Sequence, residues 1–145
     1  MHKLKISALQ KGFTLIELLV VIGVIGILAA VVLVAVNPQR QFANARDAQR
    51  RSDLYSLTNA IYQYAAEHNG NILTDITTTP TQMGTDTGLI DLTQELVPTY
   101  IPAIPKDPNV GTDASTHYTI YVDANDRIVA TASSELDGTS ITVTR

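Results

Sequence analysis

A long apolar segment near the beginning of the chain dominates its pattern of hydrophobic and polar positions. The segment runs from Phe13 to Val36, and of its 24 residues only Glu17 is charged. A helix of this length spans about 36 Å, which exceeds the roughly 30 Å hydrocarbon core of a membrane. The pattern therefore predicts a membrane-spanning helix. Because an ionised carboxylate inside a membrane costs on the order of 3 kcal/mol, we expect Glu17 to have a partner charge.

Asn37 and Pro38 interrupt this apolar helix. Proline has no backbone N–H to donate and its ring clashes with the preceding turn, so a kink or a break is expected here. Asparagine followed by proline is also a favourable helix start. Both alternatives place a second helix from about Pro38 to His68, with Asn69 and Gly70 as its stop.

The second helix changes character along its length. Between Arg46 and Asp53 it is polar on nearly all sides, and Asp47 precedes Arg51 by four residues, the spacing of a favourable ion pair. Farther along, apolar residues recur at helical spacing and predict a stripe that packs on the rest of the domain: Leu54, Leu57, Ile61 and Tyr64 or Ala65.

The remainder of the chain predicts a loop, a short helix and a sheet. Residues 71–88 are rich in threonine and are expected to form an exposed loop. Three leucines between positions 89 and 96 suggest one short helix that ends before Pro98. Alternating apolar positions in the tail predict three antiparallel strands, around Tyr118–Val122, Ile128–Ala132 and Ile141–Val143. The expected fold is therefore α+β, with the sheet covering the apolar stripe.

Charge is distributed unevenly along the chain. From Ser52 onward, 12 acidic residues stand against Lys106, Arg127 and Arg145, a formal net charge of −9. Such a body repels phosphate backbones, which argues against nucleic-acid binding by this part. The chain has no cysteine, which excludes disulfides and thiolate chemistry. Four arginines after the apolar segment are interpreted as a solvated or lipid-facing collar: Arg40, Arg46, Arg50 and Arg51.

The first twelve residues are basic, with Lys3, Lys5 and Lys11 and no acid. A basic leader before an apolar run indicates export, but this run is longer than the apolar core of an ordinary secretory signal and lacks a small-residue cleavage site after it. Because basic residues lie on both sides of the run, the positive-inside rule hardly favours either orientation of the span. The acidic, threonine-rich bulk favours an exported domain, and hence an N-terminus on the cytoplasmic side.

The segment Lys11-Gly12-Phe13-Thr14-Leu15-Ile16-Glu17 closely resembles the processing signal of type IV pilin precursors and of type II secretion pseudopilins. The resemblance implies that a prepilin peptidase cuts between Gly12 and Phe13 and methylates the new amino terminus of Phe13. It also implies that Glu17 meets the terminal ammonium of a neighbouring subunit in a helical filament. A second segment, from Tyr100 to Pro108, is similar to a proline-rich region of major pseudopilins.

This resemblance implies a pilin-like layout. Residues 1–12 form the leader, residues 13–36 the membrane-spanning and filament-core helix, residues 37–69 the amphipathic second half of the helix, and residues 70–145 the globular part. The expected partners are further copies of the chain, the prepilin peptidase, an assembly platform in the inner membrane and, before assembly, membrane lipid. The expected location is the cytoplasmic membrane first, and an extracytoplasmic or cell-surface filament afterwards.

The sequence has few features that indicate catalysis or the binding of a cofactor or metal. The sequence has no Gly-x-Ser-x-Gly, Walker or Gly-x-Gly-x-x-Gly motif, so no enzymatic activity and no organic cofactor are predicted. The resemblance to major pseudopilins, which typically bind calcium in loops of the sheet, makes calcium a possible ligand. The candidate ligands are Asp123, Asn125, Asp126 and Asp137. Asp and Asn also favour turns through hydrogen bonds to the backbone, so a purely structural role for these residues stays open.

Two interpretations from other classes stay open beside the filament subunit. One is a monomeric, membrane-anchored, extracytoplasmic binding domain, and the other is an exported enzyme. His68 and His117 have no metal-ligand spacing between them and give the enzyme little support. For a filament subunit, the sequence does not distinguish pilin from pseudopilin, or attachment, motility and DNA uptake from protein secretion.

Overall fold

The computed structural model describes residues 12–145, so the predicted leader lies outside the described residues except for Gly12. The chain divides into two compact units, Met1–Pro38 and Gln39–Arg145. In the first unit, helix α1 covers Leu15–Ala35, and none of its residues is buried. Among the described residues, α1 is the one helix long and apolar enough to cross a membrane. The apolar helix predicted from the sequence is therefore present.

Helix α2 covers Pro38–Glu67. The break predicted before it is confirmed, because Asn37 lies between the two helices with a left-handed φ of 43°. The predicted stop is confirmed as well. Asn69 and Gly70 both have positive φ, and the Gly70 amide donates to the Ala65 carbonyl at 2.8 Å, which satisfies one of the last helical carbonyls.

The globular unit contains one antiparallel sheet of four strands in the order β1-β2-β3-β4. The three predicted strands are confirmed, and a fourth, β1, lies inside the segment predicted to be loop. Its two residues are too few to show an alternating pattern, and pairing with β2 rather than local propensity makes them a strand. The strands are Thr81–Gln82 (β1), Thr119–Val122 (β2), Ile128–Ser133 (β3) and Ser140–Thr144 (β4).

The core forms where the sheet covers α2, as the apolar stripe predicts. Leu54, Leu57 and Ile61 are each fully buried. Leu54 belongs to a cluster with Tyr118 and the inward side chains of β3 and β4. Leu57 and Ile61 belong to a second, larger cluster that includes Ile120 and Ile128 of the sheet and Leu92 and Leu96 near the short helix.

The connection between β1 and β2 is long but well anchored. Helix α3 covers Thr93–Leu96, shorter than the leucine spacing suggests, and Leu96 is fully buried. After it the proline-rich segment returns towards the sheet, where the Asp107 amide donates to the Thr116 carbonyl at 2.9 Å. Backbone also passes close to Gly84: a Cβ there would lie 2.1 Å from the Ala114 carbonyl oxygen.

Candidate functional site

The predicted processing junction lies at the beginning of α1. Gly12, Phe13 and Thr14 precede the helix, and Phe13 is 92% exposed. Thr14 is the N-cap, with an extended backbone conformation. The peptide bond between Gly12 and Phe13 is therefore outside regular structure, where a peptidase can take an extended segment without first unwinding a helix turn.

Glu17 and Thr14 form a reciprocal capping box at this end. The backbone amide and the hydroxyl of Thr14 both donate to Glu17 Oε2, at 2.8 and 2.9 Å, and the Glu17 amide donates to Thr14 Oγ1 at 3.2 Å. The arrangement satisfies amide groups that a helix start leaves without intrahelical partners. It also places the carboxylate at the end of the helix where the dipole favours negative charge.

The capping box supplies a local partner for Glu17 that is neutral and not a cation. The signal was present in the sequence as Thr14-x-x-Glu17 directly before an apolar run. Both bonds from Thr14 fall on Oε2, so they do not use Oε1. The site can thus orient the carboxylate through one oxygen while the other accepts from a cation.

A second group of charged residues lies within the globular unit, around Arg50. Its guanidinium donates to Asp107 through Nε at 2.6 Å and Nη2 at 3.1 Å, and to Asp47 through Nη1 at 2.7 Å. Hydrogen bonding to Asp107 raises the pKa of Arg50, although burial opposes the charged form. The group, here called the Arg50 cluster, comprises Arg46, Asp47, Arg50, Asp107 and Glu135.

Asp47 extends the Arg50 cluster to the turn between β3 and β4. The Ser134 hydroxyl donates to its Oδ2 at 2.6 Å and the Glu135 amide to its Oδ1 at 2.9 Å. Burial opposes ionisation of Asp47, but these donors and Arg50 hold its pKa below the ordinary value. The cluster therefore joins three segments distant in sequence: α2, the proline-rich connection and the β3–β4 turn.

The Arg50 cluster corrects two predictions about the start of α2. Asp47 pairs with Arg50, three residues on, and not with Arg51, whose side chain is exposed. The interpretation of all four arginines as a solvated collar is wrong for Arg50, which is 4% exposed. The reason is that Arg50 is buried by its ion pair with Asp107 of the proline-rich connection. This partner lies 57 residues away, so the local pattern of α2 does not predict it.

The candidate calcium ligands fall in two separate turns. Asp123, Asn125 and Asp126 lie between β2 and β3, whereas Asp137 lies between β3 and β4, at the other end of β3. Asp123 accepts hydrogen bonds from the side chain and the backbone amide of Arg127. These two bonds, of which the side-chain bond has the larger effect, lower the pKa of Asp123 to about 2. Within residues 12–145, no group of three or more His, Cys, Asp or Glu is placed to hold a metal ion.

The two histidines are not brought together. His68 stacks on Tyr64 at the end of α2, with 3.9 Å between the ring centroids. His117 lies just before β2, exposed and with a positive φ of 62°. Near His68, Tyr100 donates to Glu67 at 2.6 Å, and that bond raises the pKa of Tyr100 to about 12.

Residues 7–33 match the family model described as the prokaryotic N-terminal methylation motif. This motif is the signal of type IV pilins and pseudopilins, which confirms the resemblance seen around Gly12 and Glu17. It supports a precursor of pilin-like or pseudopilin type that is anchored by its apolar helix before assembly. No curated protein and no solved structure matches the chain.

Proposed function

We propose that the chain is the precursor of a structural filament subunit, a type IV pilin or a pseudopilin. A prepilin peptidase cuts it between Gly12 and Phe13 and methylates Phe13, and the mature subunit polymerises into a filament that serves attachment, motility, DNA uptake or secretion. The observation that carries the proposal is the methylation motif at residues 7–33. The exposed, non-helical Gly12–Phe13 junction before α1 agrees with cleavage at that position.

The apolar surface of α1 supports polymerisation. A helix of 21 residues with none buried exposes far more apolar surface than a soluble monomer tolerates. Lipid covers this surface in the precursor, and α1 helices of neighbouring subunits cover it in the filament. Because contacts with neighbouring α1 helices replace the contacts with lipid, a subunit leaves the membrane without exposing α1 to water.

Glu17 supplies register between subunits. Cleavage before Phe13 creates an ammonium at the membrane-embedded end of the helix, and a buried charge is tolerable when a partner with good geometry is present. Thr14 holds Glu17 Oε2. A neighbouring chain displaced by about one helical turn, roughly 6 Å, brings its ammonium beside this carboxylate.

The remainder of the chain forms the outer wall of the filament. With the N-terminus on the cytoplasmic side, the acidic unit Gln39–Arg145 emerges on the opposite side of the membrane before assembly. The unit has its own core, in which the described buried residues all lie. It therefore needs no contact with α1 to fold.

Mass spectrometry of the N-terminus of the mature protein tests the proposal. We expect a chain that begins at methylated Phe13. A chain that keeps its leader, or one cleaved after Val36, contradicts the proposal and favours a plain membrane anchor or an ordinary secreted domain. The measurement is made on the membrane fraction and on sheared surface material, so that precursor and mature subunit are separated.

A further inference from the structure

The face of the sheet that points away from α2, here called the outer face, carries no charged side chain on its four strands. Strand alternation assigns its positions, because the inward row is fixed by buried Ile120, Ala130 and Val143. Six of the outward side chains are hydroxyls: Thr119, Thr131, Ser133, Ser140, Thr142 and Thr144. For a domain with an acidic excess, four adjacent strands without one charged outward side chain form a distinctive surface.

The polar outward side chains are arranged in register across the sheet, one amide followed by three hydroxyls. Gln82 of β1 pairs with Thr119 of β2, Thr119 pairs with Thr131 of β3, and Thr131 pairs with Thr142 of β4. With strands about 4.8 Å apart, this row crosses the sheet over roughly 14 Å. Each hydroxyl both donates and accepts, so the row offers repeated hydrogen-bonding positions on a flat support.

The outer face deepens at one end into a groove of about 460 Å³. Gln82, Thr119, Thr131, Ser133 and Ser140 line it, with His117 at the side. Its charged lining residues are Arg50, Asp107 and Glu135 of the Arg50 cluster, and Arg50 pairs with both acids. The volume lies within the range of small-ligand sites. The groove is therefore polar. Its ionised lining groups, one basic and two acidic, are held in ion pairs with a formal net charge of −1, and its Thr and Ser hydroxyls are the groups that offer contacts.

The chemistry of the face selects its occupant. A nucleic acid or an anionic lipid surface needs cations, and the strands of the outer face present none. A second copy stacked sheet on sheet needs interdigitating apolar side chains. Tyr121 and Val129 are the apolar outward residues, and Val129 is already only 4% exposed, so such stacking buries little.

We propose that the outer face binds a neutral polysaccharide. Such a polymer presents hydroxyl groups at regular intervals, matches the donor and acceptor capacity of the threonine row, and requires no charge. The groove takes a sugar unit of the polymer, and the flat row follows the chain beyond it. The Tyr121 ring, half-buried at the same face, offers an apolar plate for a sugar ring.

The proposal does not depend on polymerisation, because all the residues concerned lie in the independently packed unit Gln39–Arg145. The test is co-sedimentation of this unit with insoluble cellulose and with insoluble chitin. We expect retention on at least one of them that changes by less than about twofold between about 0.05 and 0.5 M NaCl, since screening acts on charges and not on hydroxyl contacts.

A double variant, Thr131→Val with Thr142→Val, removes two hydroxyls and keeps the β-branched shape. We expect it to lower the retained fraction at least about fivefold, with an unchanged melting temperature. The matched control is Thr87→Val, an exposed threonine outside the sheet. Failure to bind both polymers, loss of binding in salt, or an equal loss in the control each overturns the proposal. So does a concentration-dependent dimer that the double variant abolishes, because the occupant is then a second copy.

Discussion

Arg50 holds Asp107 in a two-bond fork, with Nε 2.6 Å from Oδ2 and Nη2 3.1 Å from Oδ1. The planar guanidinium matches the carboxylate in a way that a lysine ammonium does not reproduce. Asp107 also accepts the amides of Asn109 and Val110, which shapes the chain after the proline-rich run. One side chain of α2 thus fixes the conformation of a segment 57 residues away.

We expect Asp107→Asn to lower the free energy of unfolding of the globular unit by about 3 kcal/mol. The substitution leaves the buried Arg50 guanidinium without its main counter-charge, which costs more than the pair itself contributes. For a domain of this size, the melting temperature falls by about 10 °C or more. Circular dichroism of the two proteins on heating measures the difference.

Asp113→Asn is the matched control, because Asp113 pairs with Lys106 on the surface, where its side chain is 85% exposed. Exposed ion pairs contribute at most about 1 kcal/mol. A melting temperature that falls equally in the two variants contradicts the assignment of Asp107 as a structural anchor.

The Arg50 cluster also makes stability depend on acidity. Burial opposes ionisation of Asp107, but Arg50 and two backbone amides hold its pKa below the ordinary value. The unfolded chain therefore takes up this proton at higher pH than the folded one. The stabilisation is present above about pH 4 and is lost as the pH falls through the lowered pKa. We expect melting temperatures measured between about pH 7 and pH 3 to decline less steeply in Asp107→Asn than in the natural sequence, and parallel curves contradict this.

Residues that face a regular core could be predicted from the sequence. Leu54, Leu57 and Ile61 recur at helical spacing, and all three are buried against the sheet. Alternation likewise predicts β2, β3 and β4, because one face of each is covered. In these cases the spacing of apolar residues along the chain predicts which side chains are buried, because the buried face repeats with the period of the helix or strand.

Residues whose partners are distant in sequence could not be placed in this way. Asp47 has a basic residue both three and four positions ahead, and only Asp107 decides that Arg50 turns inward. The strand β1 exists because β2 pairs with it, and its two residues show no period. The capping box at Thr14 is different. It is local, and the spacing Thr14-x-x-Glu17 before an apolar run is sufficient to predict it.

Gly84 allows two stretches of backbone to approach closely. A Cβ at this position would lie 2.1 Å from the Ala114 carbonyl oxygen and 2.8 Å from its carbon. We expect Gly84→Ala to lower the free energy of unfolding by about 3 kcal/mol, since the backbone must shift to relieve the overlap. The control is Gly138→Ala, where φ is 70° but the space is open, and about 1 kcal/mol is expected. Equal losses in urea unfolding contradict the role of close approach.

Calcium is expected to leave the melting temperature of the globular unit unchanged. Asp123 and Asp137 lie beyond opposite ends of β3, whose six residues span about 20 Å, so they cannot share an ion. Asp123 is already engaged by Arg127. Thermal unfolding with about 1 mM calcium and with a chelator provides the measurement. A rise in melting temperature that the chelator reverses, and that Asp123→Ala abolishes, contradicts this expectation.

Glu17 has two separable roles, as a helix cap in its own chain and, in the proposed filament, as a counter-charge for the next chain. Glu17→Gln separates them. Glutamine at this position still accepts from Thr14, so the capping box persists, but the charge is lost. Thr14→Val has the opposite effect, because it removes the hydroxyl of the cap and keeps the carboxylate. Glu17→Ala removes both and is expected to leave the globular unit folded.

We expect Glu17→Gln and Glu17→Ala to reduce the filaments in the sheared surface fraction at least about tenfold, because a buried ammonium without its partner costs several kcal/mol at each contact. Thr14→Val loses only a cap, about 1 kcal/mol, and should assemble with a smaller deficit. Immunoblots of the sheared and membrane fractions, normalised to total subunit, give the yields. If Glu17→Gln assembles normally while Thr14→Val fails, the cap and not the charge explains why an acid stands in this apolar helix. Normal filaments in Glu17→Ala remove both explanations.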